Sequence, residues 1–135
     1  MRILNRFFAI STISIALTAS QALACEPHSE EAQQGTISYV SGGIGECNTE
    51  EVRGEREHYA LHIVNADVAG EFEGTTKIKI LDTNGYELLS DLAGPLFYAN
   101  LPAGKYTVIE KADDRTQVKS MTIKANKPTN LRFNW

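Results

Sequence analysis

The stretch "TKIKILDTNGYELLS", residues 76–90, decides the fold. Ile78 and Ile80 alternate with Lys77 and Lys79, which puts the isoleucines on one face of a strand and the lysines on the other. Asp82-Thr83-Asn84-Gly85 interrupts the alternation. Asn84-Gly85 is the strongest short hairpin signal, because both residues accept φ > 0. Residues 86–90 then return as the second strand. The same alternation extends outward in both directions. Tyr59, Leu61 and Ile63 share a face, as do Phe97, Ala99 and Leu101, then Tyr106 and Val108, and finally Leu131, Phe133 and Trp135. Leu101-Pro102-Ala103-Gly104 places proline at the second turn position, and Asp113-Asp114 marks another turn. About seven short strands, with turns roughly every 8–12 residues, predict an all-β fold. The expected architecture is a small antiparallel seven-stranded β-sandwich over residues 58–135. The short strands, their charged outward faces and the missing aromatic girdle argue against a transmembrane barrel.

Residues 1–24 read as a signal peptide. Arg2 and Arg6 open it, an apolar run follows from about Phe7 to Leu17, and Ala22-Leu23-Ala24 closes it with small residues. The apolar run is shorter than the roughly 20 residues a membrane span needs. Removing 24 residues from 135 leaves 111, enough for one domain. The leader carries two arginines and no acid, so the remainder holds 11 Lys+Arg against 17 Asp+Glu, a balance of −6. That balance gives no electrostatic footprint for nucleic acid.

Residues 25–57 read as a flexible acidic lead-in, with Glu26, Glu30, Glu31, Glu46, Glu50, Glu51, Glu55 and Glu57. Within it, Ile37 and Tyr39 alternate as a short strand, a glycine loop follows, and "TEEVRGERE", residues 49–57, allows a turn or two of helix at most. Export places the two cysteines, Cys25 and Cys47, where disulfides persist. A bridge between them would close a loop of 22 residues, worth about 3 kcal/mol in a chain-entropy model. Lipidation of Cys25, which Ala24 permits, is the alternative, and would anchor the chain to a membrane face.

Each candidate site has a bland reading beside the functional one. Tyr39, Ser41, Gly42, Gly43, Ile44 and Gly45 form either a structural turn or a recognition loop whose bare backbone meets a partner. Asn48 stands where a dinucleotide fingerprint would need its third glycine, and the nearby glutamates repel anions. His58 and His62 have a zinc-like spacing on a helix. On a strand they lie roughly 13 Å apart, so they read as two exposed histidines on the outer face. His28 with Cys25 and Cys47 offers the only other metal-like set, and no metal or cofactor is expected. Acid pairs occur only as turn neighbours and no nucleophile motif appears, so no catalytic residue is assigned. Most aromatics fall on the inward period, while Tyr86 and Tyr98 fall off it and read as an exposed patch.

"LPAGKYTVIEKADDRTQVKSMTIKANKPTNLRFNW", residues 101–135, is similar to the closing half of carboxypeptidase-regulatory-like domains, which are transthyretin-like sandwiches. Their Pro-Gly turn followed by Tyr-x-Val matches Pro102, Gly104, Tyr106 and Val108. The resemblance implies that Gly104 permits the turn, and that Tyr106 buries its ring while its hydroxyl meets the backbone at a sheet corner. The stretch from Tyr39 to Gly45, "YALHIV", "KIKILDTNGYEL" and "GPLFYANLPAGKYTV" resemble short exported proteobacterial proteins of that class. The two cysteines depart from the pattern. The resemblance implies a fold and a periplasmic location but no chemistry. One enzyme family of this fold, hydroxyisourate hydrolase, ends in Tyr-Arg-Gly-Ser, whereas this chain ends Leu131-Arg132-Phe133-Asn134-Trp135. The expectation is a non-catalytic module that contacts another envelope protein through the glycine loop, with a glycan or small ligand as the alternative. A membrane enters only through a lipidated Cys25.

Overall fold

The computed structural model describes residues 30–67 and 74–135. In chain order the elements are β1 (Ala32–Gln34), β2 (Ile37–Gly42), α1 (Glu46–Gly54), a single 3-10 turn (Arg56–His58), β3 (Leu61–Ala66), β4 (Thr76–Leu81), β5 (Glu87–Ala93), β6 (Leu96–Ala99), β7 (Gly104–Ala112), β8 (Arg115–Ile123) and β9 (Thr129–Asn134). The β4–β5 hairpin closes through Asp82, whose carboxylate accepts from the amides of Asn84 (2.9 Å) and Tyr86 (3.0 Å). Only Gly85 takes a positive φ there, at 82°, so Asn84 is not strained as the Asn-Gly reading expected. The loop is longer than a two-residue turn, and its i→i+3 bond runs from Gly85 to Asp82 (3.1 Å).

Two sheets form the sandwich, one ordered β1-β2-β6-β3-β9 and the other β5-β4-β7-β8. The alternating apolar residues of both sheets meet between them. Ile37, Tyr39, Leu61, Ile63, Phe97 and Phe133 face Ile78, Ile80, Leu89, Val108, Met121 and Ile123. The described residues form nine strands, not seven, because the lead-in supplies β1 and β2. The boundary expected at residue 58 therefore does not separate the sandwich from what precedes it. Nor is every pairing antiparallel, since β3 and β9 run parallel, from Leu61↔Thr129 to Ala66↔Asn134. β9 reaches that edge by crossing over from β8 in the other sheet.

The first sheet is buried on both faces at its centre. Val40, Leu96 and Tyr98 point away from the sandwich core, and Val52 of α1 and Tyr59 cover them in a second apolar cluster. α1 is polar apart from Val52, its one buried residue, so docking and not propensity holds it. Glu31, expected in a solvated stretch, accepts a hydrogen bond from the Tyr59 hydroxyl and ties the chain ahead of β1 to this face.

Candidate functional site

The glycine loop is the bend that turns β2 into α1. A Cβ on Gly42 would lie 2.3 Å from Asn48 Oδ1 and 2.8 Å from Val52 Cγ2. Gly43 (φ 103°) packs on Leu96, and its amide donates to Asn48 Oδ1 at 2.6 Å. Gly45 caps the helix at φ 83° with open space around it. Ser41 Oγ accepts from the Gly94 amide at 2.8 Å. Tyr39 is buried, stacks on Phe97 and donates its hydroxyl to Asp91. Of the six residues read as a recognition loop, only Ile44 presents a large side chain to solvent, 62% exposed. Close approach and positive φ thus account for the glycines.

A more structured surface lies on the outer face of the first sheet. The pairing registers align Tyr98 on β6 with His62 on β3 and Asn130 on β9, and Leu96 with Val64 and Arg132 one row along. α1 and the 3-10 turn overhang these rows and bring in Arg53 and Arg56. The result is a cleft of about 550 Å³ with no carboxylate lining it among the described residues. A second concavity of about 600 Å³ adjoins it through Arg56 and His62, and Lys124, Lys127 and Glu57 contribute to its walls.

Hydrogen bonds fix the side chains between the two. His62 Nε2 sits 2.8 Å from the carbonyl oxygens of Arg56 and Tyr59, so it carries the hydrogen. Nδ1 then accepts from Arg56 Nε at 3.1 Å, and Arg56 Nη2 donates to Asn130 Oδ1 at 3.0 Å. Asn130 Oδ1 also lies 3.1 Å from Nδ1, a contact between two acceptors in this tautomer. His62, expected on the exposed face, is 5% exposed because the 3-10 turn covers it. His58 lies in that turn, not on a strand, and is exposed.

Tyr98 corrects the exposed-patch reading. It is 3% exposed, with its ring edge-on to His62 at 5.1 Å. Its hydroxyl has no hydrogen-bond partner among the described residues, and the ring lines the cleft. Burial pushes the pKa of this hydroxyl up, while the positive charges of Arg56 and Arg53 oppose the rise. Tyr86, by contrast, is 70% exposed.

A second polar cluster is closed off in the core. Asn65 accepts from Trp135 Nε1 (3.1 Å) and donates to Glu110 Oε1 (3.1 Å). Glu110 Oε2 and Thr76 Oγ1 are buried without completing a hydrogen bond, although Thr76 is near enough to favour the charged carboxylate. At the far corner Tyr106 donates its hydroxyl to Pro102 O at 2.6 Å, beside Gly104. Cys47 lies in α1, and there is no free cysteine among the described residues. Cys25, His28 and residues 1–24 lie outside the described residues.

No model of a known protein family matches this chain, and neither does any curated protein. The cleft residues that sequence reading passed over are Arg53, Arg56, Asn130 and Arg132. Arg53 and Arg56 sit in an acid-rich stretch of sequence, and only the β3–β9 register brings Asn130 and Arg132 beside them. The one available signal was Tyr98, which fell off the inward period.

Proposed function

We propose that this protein is an exported, non-catalytic binding module that meets its ligand in the cleft on the outer face of the first sheet. The observation that carries this reading is the Arg56–His62–Asn130 cluster, in which side chains from three elements lock one another where two concavities join. Fixed polar groups converging on a concave surface are the general mark of a ligand site, and immobilising them beforehand lowers the cost of binding. This favours a small ligand or glycan over capture of another envelope protein by the glycine loop, whose glycines packing already explains. His62 is a poor general base, because both of its ring nitrogens are engaged.

Residues 1–24 support export to the periplasm with cleavage after Ala24. In that compartment Cys25 and Cys47 form a disulfide that pins the new N-terminus to α1, with lipid on Cys25 as the alternative. Kinship with transthyretin-like, carboxypeptidase-regulatory-like domains belongs to the same proposal and is supported by the Tyr106–Pro102 corner. The test is a screen of the exported chain against neutral sugars, short peptides and small anions, followed by amide NMR. The expected result is a saturable response confined to the cleft residues. A response centred on Ile44 would transfer the function to the glycine loop, and no response at the cleft to any probe would refute the reading.

A further inference from the structure

We propose that the cleft is an oxyanion site. It takes the carboxylate or phosphate group of a small ligand, with the Tyr98 hydroxyl donating to that group and the guanidiniums of Arg56 and Arg132 supplying the charge. This rests on the cleft being the ligand site. Although the Tyr98 ring is buried, its hydroxyl oxygen stays open to solvent and so is free to take a hydrogen-bond partner from outside the protein. The hydroxyl has no partner among the described residues, and it belongs to a ring that walls an open cleft. The His62 contact and the Val52 cluster hold that ring in place, so the donor is fixed before any ligand arrives.

The charge is arranged to match. Arg56 donates to His62 and Asn130, and Arg132 Nε donates to Asn134 Oδ1 at 2.9 Å; all three acceptors are neutral. The chain carries 17 acids against 13 bases, yet among the described residues no acid lines this cleft. Arginine near the end of a helix is ordinarily explained by the helix dipole. That accounts for Arg53 in the last turn of α1 but not for Arg132, which approaches from β9 on the opposite wall. A guanidinium fork matches the spacing of carboxylate and phosphate oxygens, so two such groups and one hydroxyl suit an oxyanion. The rest of the ligand would extend past Arg56 toward Lys124 and Lys127 in the adjoining concavity.

The experiment titrates the exported chain, residues 25–135, with inorganic phosphate and separately with acetate, following backbone amide signals. The expected result is a saturable shift at Arg56, Tyr98, Asn130 and Arg132 with at least one ion, and the stronger ion identifies the group. Tyr98→Phe should weaken that binding about tenfold, the loss of a charge-assisted hydrogen bond, without lowering the Tm of the unliganded protein. Arg132 is exposed, so Arg132→Gln leaves the fold intact and should weaken binding similarly, with Arg132→Lys recovering part of it. No saturable shift with either ion, or equal affinity in the wild type and Arg132→Gln, overturns the proposal. If a neutral sugar or peptide shifts the same signals while both anions are silent, the cleft remains the ligand site and only the oxyanion assignment falls. Silence toward every probe removes both.

Discussion

Glu110 is the residue whose environment makes the strongest demand. It is 0% exposed, and burial raises its pKa from the ordinary 4.5 to about 7, against the help that Asn65, Thr76 and the charge of Lys119 give its ionised form. Protonated, the carboxyl has an O–H to offer Thr76 Oγ1, which would satisfy both of the orphaned oxygens. The folded state therefore holds this proton more tightly than the unfolded chain does. The resulting stability is whole below pH 4.5 and is lost as pH rises through about 7. Urea unfolding of the wild type should accordingly show a loss of up to about 3 kcal/mol between pH 5 and pH 8. Glu110→Gln should flatten that slope. An equally steep slope in the variant would place its origin elsewhere. Gly42 makes a different demand, for space. Gly42→Ala sets a methyl against Asn48, whose side chain also holds the Gly43 amide, so it should cost about 1–3 kcal/mol by chemical denaturation. Gly45→Ala meets no neighbour and should cost about 1 kcal/mol, from its positive φ alone.

At the scale of elements, α1 has a single buried side chain, Val52. Val52→Ala truncates it and should cost about 2 kcal/mol. The loss should appear first as faster hydrogen exchange in residues 46–54, ahead of any change in β7 or β8. The same helix bears on the proposed Cys25–Cys47 bridge. Reduction, or Cys47→Ser, should lower stability by about 3 kcal/mol, and an unchanged Tm would argue that no bridge forms. These elements also mark the limit of what the sequence shows. Strands with one wet face, such as β4 and β7, announce themselves by alternation. β6 is buried on both faces, so alternation locates Phe97 and Ala99 but misassigns Tyr98. α1 has no apolar period to find, since Val52 is its one buried side chain, and β1 is only Ala32–Gln34 with no apolar pattern. The cleft was harder still to see. Arg132 lies far from Arg53 and Arg56 in the chain, and a parallel crossover that no local signal encodes brings it beside them.

At the scale of the whole molecule, the question is where the folding unit begins. Sequence composition placed a boundary at residue 58, yet β2 lies inside the first sheet, paired along β6 from Tyr39↔Ala99 to Gly42↔Leu96. It supplies Ile37 and Tyr39 to the inner core and Val40 to the outer cluster, and the helix that follows it supplies Val52. Removing residues 1–57 would leave β6 as an edge strand. It would also uncover Phe97 on one side and Tyr98 on the other. A bare edge beside newly exposed aromatic surface favours aggregation over folding. The fragment 58–135 should therefore show no cooperative thermal transition and should elute as aggregates. The exported chain, residues 25–135, should unfold in a single transition, because both sheets share one core. A sharp, monomeric transition in the short fragment would mean that the seven strands from β3 to β9 carry the core by themselves. The cleft would then be an addition to a self-sufficient sandwich, and its ligand could be lost by deleting α1 without unfolding the rest.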